Sequence, residues 1–112
     1  MKALFVELPA FARYRIEYLD DDGFRALQNE MMTNPRAGDV IEGAGGLRKL
    51  RFHDPKRGKG KRGGLRIIYY WWEAGCQFWL FTLYDKGEVS DLSAKDKKAL
   101  KDMIKRELEA RQ

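Results

Sequence analysis

Hydrophobic and polar positions change their period several times along the chain, and each change marks an element. Residues 2–7 read as a short strand ended by Pro9. Over residues 10–19, Phe11, Tyr14 and Tyr18 recur at helical spacing, which predicts a helix. Asp20 to Asp22 supply N-caps for a second helix whose Phe24, Leu27 and Met31 share one face, and Asn34-Pro35 stops it. Residues 37–46 show no period and read as a loop. Residues 47–53 alternate, with Leu50 and Phe52 on one side and Lys49, Arg51 and His53 on the other. LRIIYYWW (65–72) and FWLFTLY (78–84) are rich in β-formers and apolar on both faces, the pattern of strands at a buried sheet centre. A turn at 73–77 joins them. With Gly75 at its tip, Arg66 falls opposite Tyr84 on one face, and Lys86 follows there.

Ser93, with Asp96 three residues on, predicts a capping box. Leu100, Met103, Ile104 and Leu108 then form the apolar stripe of an amphipathic helix, packed on the sheet or on a partner. The predicted order is β-α-α-β-β-β-α. It implies an α+β fold: a mostly antiparallel four-stranded sheet, covered by an N-terminal helical hairpin, with a C-terminal helix. At 112 residues this is one domain, 1–112.

Composition sharpens the picture where it is uneven. The 6 Phe, 5 Tyr and 3 Trp are ample for a core, so 35% charged residues do not imply disorder. The opening apolar run is too short for a secretion signal, and no stretch is long enough to span a membrane. Cys76 is the only cysteine, which excludes an internal disulfide and reads as an ordinary turn residue. The expected compartment is the cytoplasm. The net charge of +5 is concentrated. Residues 1–45 carry 5 basic and 8 acidic residues, residues 46–66 carry 9 and 1, and residues 67–112 carry 8 of each. The excess therefore sits in one segment of net +8, a localised site for a polyanion such as a phosphate backbone.

Several chemistries fall away. One His and one Cys do not build a zinc site, so no metal and no cofactor are expected. No nucleophile elbow is present, and Gly43–Gly46 (GAGG) does not satisfy a dinucleotide fingerprint. A cationic surface remains: Arg48, Lys49, Arg51, Lys56, Arg57, Lys59, Lys61, Arg62 and Arg66, with Tyr84 and Lys86 nearby. RNA carries its own nucleophile, the 2′-hydroxyl. Cutting it requires removal of that proton, stabilisation of the phosphorane and protonation of the 5′-oxygen. Arginine suits the charge; a lysine crowded by other cations suits the base; tyrosine stacks on a base or relays a proton.

Blander readings stand beside these. The 54–64 segment, DPKRGKGKRGG, reads as a solvated loop that tracks a polyanion without chemistry. Arg48 faces either the groove or the core side of its strand, His53 reads as a polar strand end, and the lysines of the last helix as its wet face. Tyr69, Tyr70, Trp71, Trp72, Trp79 and Phe81 read first as core. Arg66, alone on the rim of an aromatic strand, is the strongest functional candidate.

Three segments, GGLRKLRF (45–52), GKRGGLRIIYYW (60–71) and FTLYDKGEVSDLS (81–93), resemble the RelE/HigB-type toxins of bacterial toxin–antitoxin systems. The resemblance covers nearly the whole chain. It implies an endoribonuclease that enters the ribosomal A site and cleaves messenger RNA without metal. It also implies a cognate antitoxin, commonly a helix-turn-helix protein, that blocks the basic face. Carried onto this chain, it brings Lys49, Arg51, Lys56, Lys59 and Lys61 as a group, together with Arg66, to the scissile phosphate, with Arg66, Lys59 and Lys61 taken as catalytic. Arg48, Lys49, Arg51, Lys56, Arg57 and Arg62 are taken as RNA-binding. Gly87 or its neighbours stand where RelE carries an arginine after the last strand, and Leu92 and Ser93 where it carries a tyrosine, so Tyr84 and Lys86 become the candidates for proton transfer. Two readings from other classes are a ParE-like inhibitor of DNA gyrase and a non-catalytic RNA- or ribosome-binding protein.

Overall fold

A computed structural model of the chain describes residues 2–53, 64–87 and 92–111. Eight elements follow one another: β1 (Leu4–Glu7), α1 (Pro9–Tyr18), α2 (Asp21–Thr33), β2 (Asp39–Val40), β3 (Arg48–Phe52), β4 (Leu65–Trp72), β5 (Gln77–Asp85) and α3 (Ala94–Ala110). The strands lie in the order β1-β5-β4-β3-β2, with β1 parallel to β5 and all other pairs antiparallel. The expected class and element order hold, with one correction. The sheet has five strands, because Asp39 and Val40 pair with Lys49 and Arg48 inside the segment read as a loop. Two residues are too few to leave a period in the sequence. What brings them to the edge is Tyr69, whose buried hydroxyl donates to Pro35 O (2.8 Å) and accepts from the Gly38 N–H (3.1 Å).

The ends of the helices follow their local chemistry. Pro9 occupies the first turn of α1, where its missing N–H leaves no bond unmade. Asp20 caps α2 by accepting from Gly23 N at 2.7 Å, and Ser93 with Asp96 completes the capping box of α3.

Both faces of the central strands are covered. On one, Phe11, Leu27 and Met31 of the helical hairpin pack on Leu50, Ile67, Tyr69, Phe78, Leu80 and Leu83. On the other, Leu100 and Ile104 of α3 pack with Ile68, Trp79, Phe81 and Tyr84. The last helix thus packs on the sheet of its own chain, and the continuous apolar runs of β4 and β5 are explained by burial on two sides.

The β4–β5 hairpin contains the detail that matters most for function. Trp72 pairs with Gln77, so the turn is centred between Ala74 and Gly75 rather than on Gly75. That centring alone would set Leu83 opposite Arg66. A bulge intervenes: the register passes from Tyr69↔Leu80 to Ile68↔Thr82, with Phe81 as the extra residue. The shift restores Arg66↔Tyr84 and changes the phase of β5, so that Trp79, Phe81 and Tyr84 face α3 while Phe78, Leu80 and Leu83 face the hairpin.

Two outcomes test this packing. Burial raises the pKa of Tyr69 above its ordinary value, against smaller lowering effects from the Gly38 N–H and Arg48. A raised folded value means that the stabilisation is complete below about pH 10 and is lost as pH climbs through the folded value. Urea melts should show an alkaline loss of stability that Tyr69→Phe lacks. At neutral pH that variant should be less stable by about 1–3 kcal/mol for the loop carbonyl and N–H it strands. The second outcome concerns Gly45, which has φ of 69° and whose added Cβ would lie 2.7 Å from Ile104 Cγ2. Gly45→Ala should lower the unfolding free energy by about 1–3 kcal/mol, read as a lower urea midpoint at unchanged slope.

Candidate nucleic-acid interface

Directly opposed residues of neighbouring strands share a face, and here they make a row across three strands. Arg51 of β3 stands opposite Arg66 of β4, which stands opposite Tyr84 of β5. Opposed side chains begin roughly 5 Å apart, so Arg51 and Arg66 are a like-charge pair that the sheet holds at a cost in stability. Arg66 is also 8% exposed. Its Nη1 lies 3.4 Å from Gly64 O and 3.4 Å from Leu65 O, long for hydrogen bonds, and no carboxylate among the described residues forms an ion pair with it. A buried guanidinium so placed is set up for an anion that comes from outside.

The space for that anion is an open cleft of about 430 Å³ lined by Arg51, Phe52, His53, Gly64 and Arg66. His53 is exposed and forms part of the wall, a placement that the alternation of Lys49, Arg51 and His53 had already signalled. Lys49 is half-buried one step along the same face, opposite Ile68. With Arg51 and Lys97 of α3 it lines a second cleft of about 200 Å³ that also contains Asp39 and Glu42.

Tyr84 is nearly buried against α3, and Lys86 lies beyond the end of β5, exposed, in the turn rather than on the strand face. The Lys86 N–H donates to Gly64 O at 3.2 Å and so closes the end of the β4–β5 pair beside the cleft.

Arg48 is not brought into this group. It shares the parity of Leu50 and Phe52, stands opposite Tyr69, and donates through Nη1 to Gly38 O (2.8 Å) and Arg36 O (3.2 Å). Its role is to hold the segment that leads into β2. Lys56, Arg57, Lys59, Lys61 and Arg62 lie outside the described residues. Among the described residues there is no group of three or more His, Cys, Asp or Glu able to hold a metal, and no helix long and apolar enough to cross a membrane. What the arrangement can do chemically is bind a phosphate beside two guanidiniums, with an imidazole in the cleft wall; Tyr84 lines a separate groove between β5 and α3, with Leu92, Asp96 and Met103.

A mixed sheet with a helical hairpin on one face and a single helix on the other has the RelE-type toxin fold. Two solved structures carry that comparison. One is the E. coli toxin RelE in the free state, in a mutant with two arginines replaced by alanine. It superposes with a TM-score of 0.54 at 12% identity, covering 80% of this chain and 90% of that one. The other is the intact E. coli RelBE toxin–antitoxin complex, with a TM-score of 0.51 at 11% identity, covering 73% of this chain and 94% of that one. No protein-family model matches the chain.

Proposed function

We propose that the protein is the toxin of a toxin–antitoxin pair and acts as a metal-independent endoribonuclease on messenger RNA in the ribosomal A site. The observation that carries this reading is the Arg51–Arg66–Tyr84 row, with its buried guanidinium that no carboxylate pairs with among the described residues, opening on a cleft. The fold supports it, since the neighbours are a RelE toxin and a RelBE toxin–antitoxin complex.

In this reading the scissile phosphate sits between Arg51 and Arg66. The adjacent 2′-hydroxyl loses its proton to a base and attacks phosphorus. The two arginines offset the charge that gathers on the phosphorane oxygens. The bond to the 5′-oxygen then breaks as that oxygen takes up a proton, which leaves a 2′,3′-cyclic phosphate and a 5′-hydroxyl end. Lys59 and Lys61 are assigned to proton removal and charge. Tyr84 and Lys86 flank the leaving group, and Lys49, Lys56, Arg57 and Arg62 hold the strand. The protein is assigned to the cytoplasm, with a cognate antitoxin, commonly of helix-turn-helix type, that covers the cleft.

The test mixes purified protein with a defined messenger, with and without programmed ribosomes, and maps ends by primer extension. Cuts that require ribosomes support the full proposal. Cuts on naked RNA keep the nuclease and remove ribosome dependence. Toxicity in cells with no cuts in either tube rejects the nuclease in favour of gyrase inhibition or passive blockade.

A further inference from the structure

Four of the five lysines of α3 gather on one side of it, with Lys95 lying outside that group. At 3.6 residues per turn, Lys97, Lys98, Lys101 and Lys105 fall within an arc of roughly 100° that contains none of the helix's acids. The arc borders the buried side marked by Leu100 and Ile104. Its position over the Gly43–Gly46 turn is fixed by contact: a Cβ at Gly45 would lie 3.4 Å from Lys101 Cγ, and Gly43 lines a groove of about 430 Å³ with Lys97, Lys98, Lys101 and Asp102. The groove floor there is bare backbone, since Gly43 is exposed, has φ of 78°, and a Cβ placed on it would meet nothing within 4 Å. Glycine at such a place lets another backbone come close.

This strip joins the arginine cleft. Lys97 lines the smaller cleft with Lys49 and Arg51, and Arg51 lines the larger one with Arg66. We infer that Arg66, Arg51, Lys49, Lys97, Lys101 and Lys105 form one track for an RNA backbone, in which α3 grips phosphates beyond those at the cutting site. The α3 part spans about 12 Å, room for several phosphates of an extended strand. Asp39 and Glu42 line the cleft that joins the two parts, and Asp102 the groove on α3, and in each the cations outnumber them. The inference rests on the RNA reading of the arginine cleft, because a track that runs into a phosphate site fits a polyanion of evenly spaced charge.

The test uses the full chain with Lys97→Gln, Lys101→Gln and Lys105→Gln combined, glutamine being a good helix former. Two fluorescent single-stranded RNAs serve as probes, one long enough to span both clefts and one that fills the arginine cleft alone. Each contributes about 0.7 to the logarithmic salt slope per phosphate contact, so the triple variant should lose ~2 from the slope for the long RNA. That loss should be confined to the long RNA. Equal slopes and affinities for wild type and variant would overturn the track. So would a variant that binds long RNA normally and has lost its antitoxin, which would assign the strip to a protein interface. Lysine-dependent binding of long RNA by a protein that cuts none would uphold the track and reject the nuclease.

Discussion

Arg66→Ala is expected to reduce messenger cleavage by about 100- to 1000-fold, the usual loss when one preorganised donor to a developing oxyanion is removed. The reason is positional. Arg66 is the middle of the three-strand row, it is buried, and the structure gives it no carboxylate among the described residues to neutralise. The same change should leave the fold at least as stable as wild type. It removes one member of a directly opposed Arg51–Arg66 pair, whose repulsion is on the order of 0.2–1 kcal/mol. Activity and stability moving in opposite directions separates a site residue from a structural one. Arg66→Lys should recover part of the rate by restoring charge, though not the two-pronged contact that only a guanidinium makes. Primer extension gives the rates and thermal melting gives the stability. An alanine variant that cuts at the wild-type rate would remove Arg66 from the chemistry. One that melts well below wild type would make it a structural residue.

Much of this arrangement was legible in the sequence because burial on two faces writes itself as uninterrupted apolar runs. The bounds of β4 could be read directly from LRIIYYWW, and the capping box of α3 from Ser93 and Asp96. The Arg66–Tyr84 pairing came out correctly by way of two offsetting features, a turn centred half a residue early and a bulge at Phe81. Neither is visible in strict alternation, since a bulge depends on how the two strands twist together and not on any residue type. Strand β2 left no trace because its cause is remote: a tyrosine hydroxyl some thirty positions later in the chain. Arg48 shows the limit of reading charge alone. The sequence left it open between the groove and the core side; the structure puts it with Leu50 and Phe52 on the hairpin side and shows the backbone carbonyls that it serves. The five loop cations between Lys56 and Arg62 lie outside the described residues, so their part in the site rests on resemblance and charge.

Trp79→Ala is expected to produce the largest loss of stability of any single change on the α3 side, about 3–5 kcal/mol. Trp79 is fully buried on β5, its indole N–H donates to Gln77 Oε1 at 2.9 Å, and its ring packs against Tyr70 and Trp72 with centroids 5.4 Å away in each case. Arg111, just past the end of α3, lies 4.6 Å over the same ring, so one side chain ties the C-terminal end of the helix to the sheet. For a domain of this size the melting temperature should drop by roughly 10–20 °C. Trp79→Phe, which keeps most of the apolar contact and loses the indole donor, should fall between. The consequence reaches the lysine strip, which has no position of its own apart from the packing of α3. Amide exchange should therefore quicken first along α3 in the alanine variant, and affinity for long RNA should fall before cleavage at the arginine cleft does. A melting shift of only a few degrees, or exchange that quickens equally in α1 and α2, would show that Trp79 does not anchor this helix.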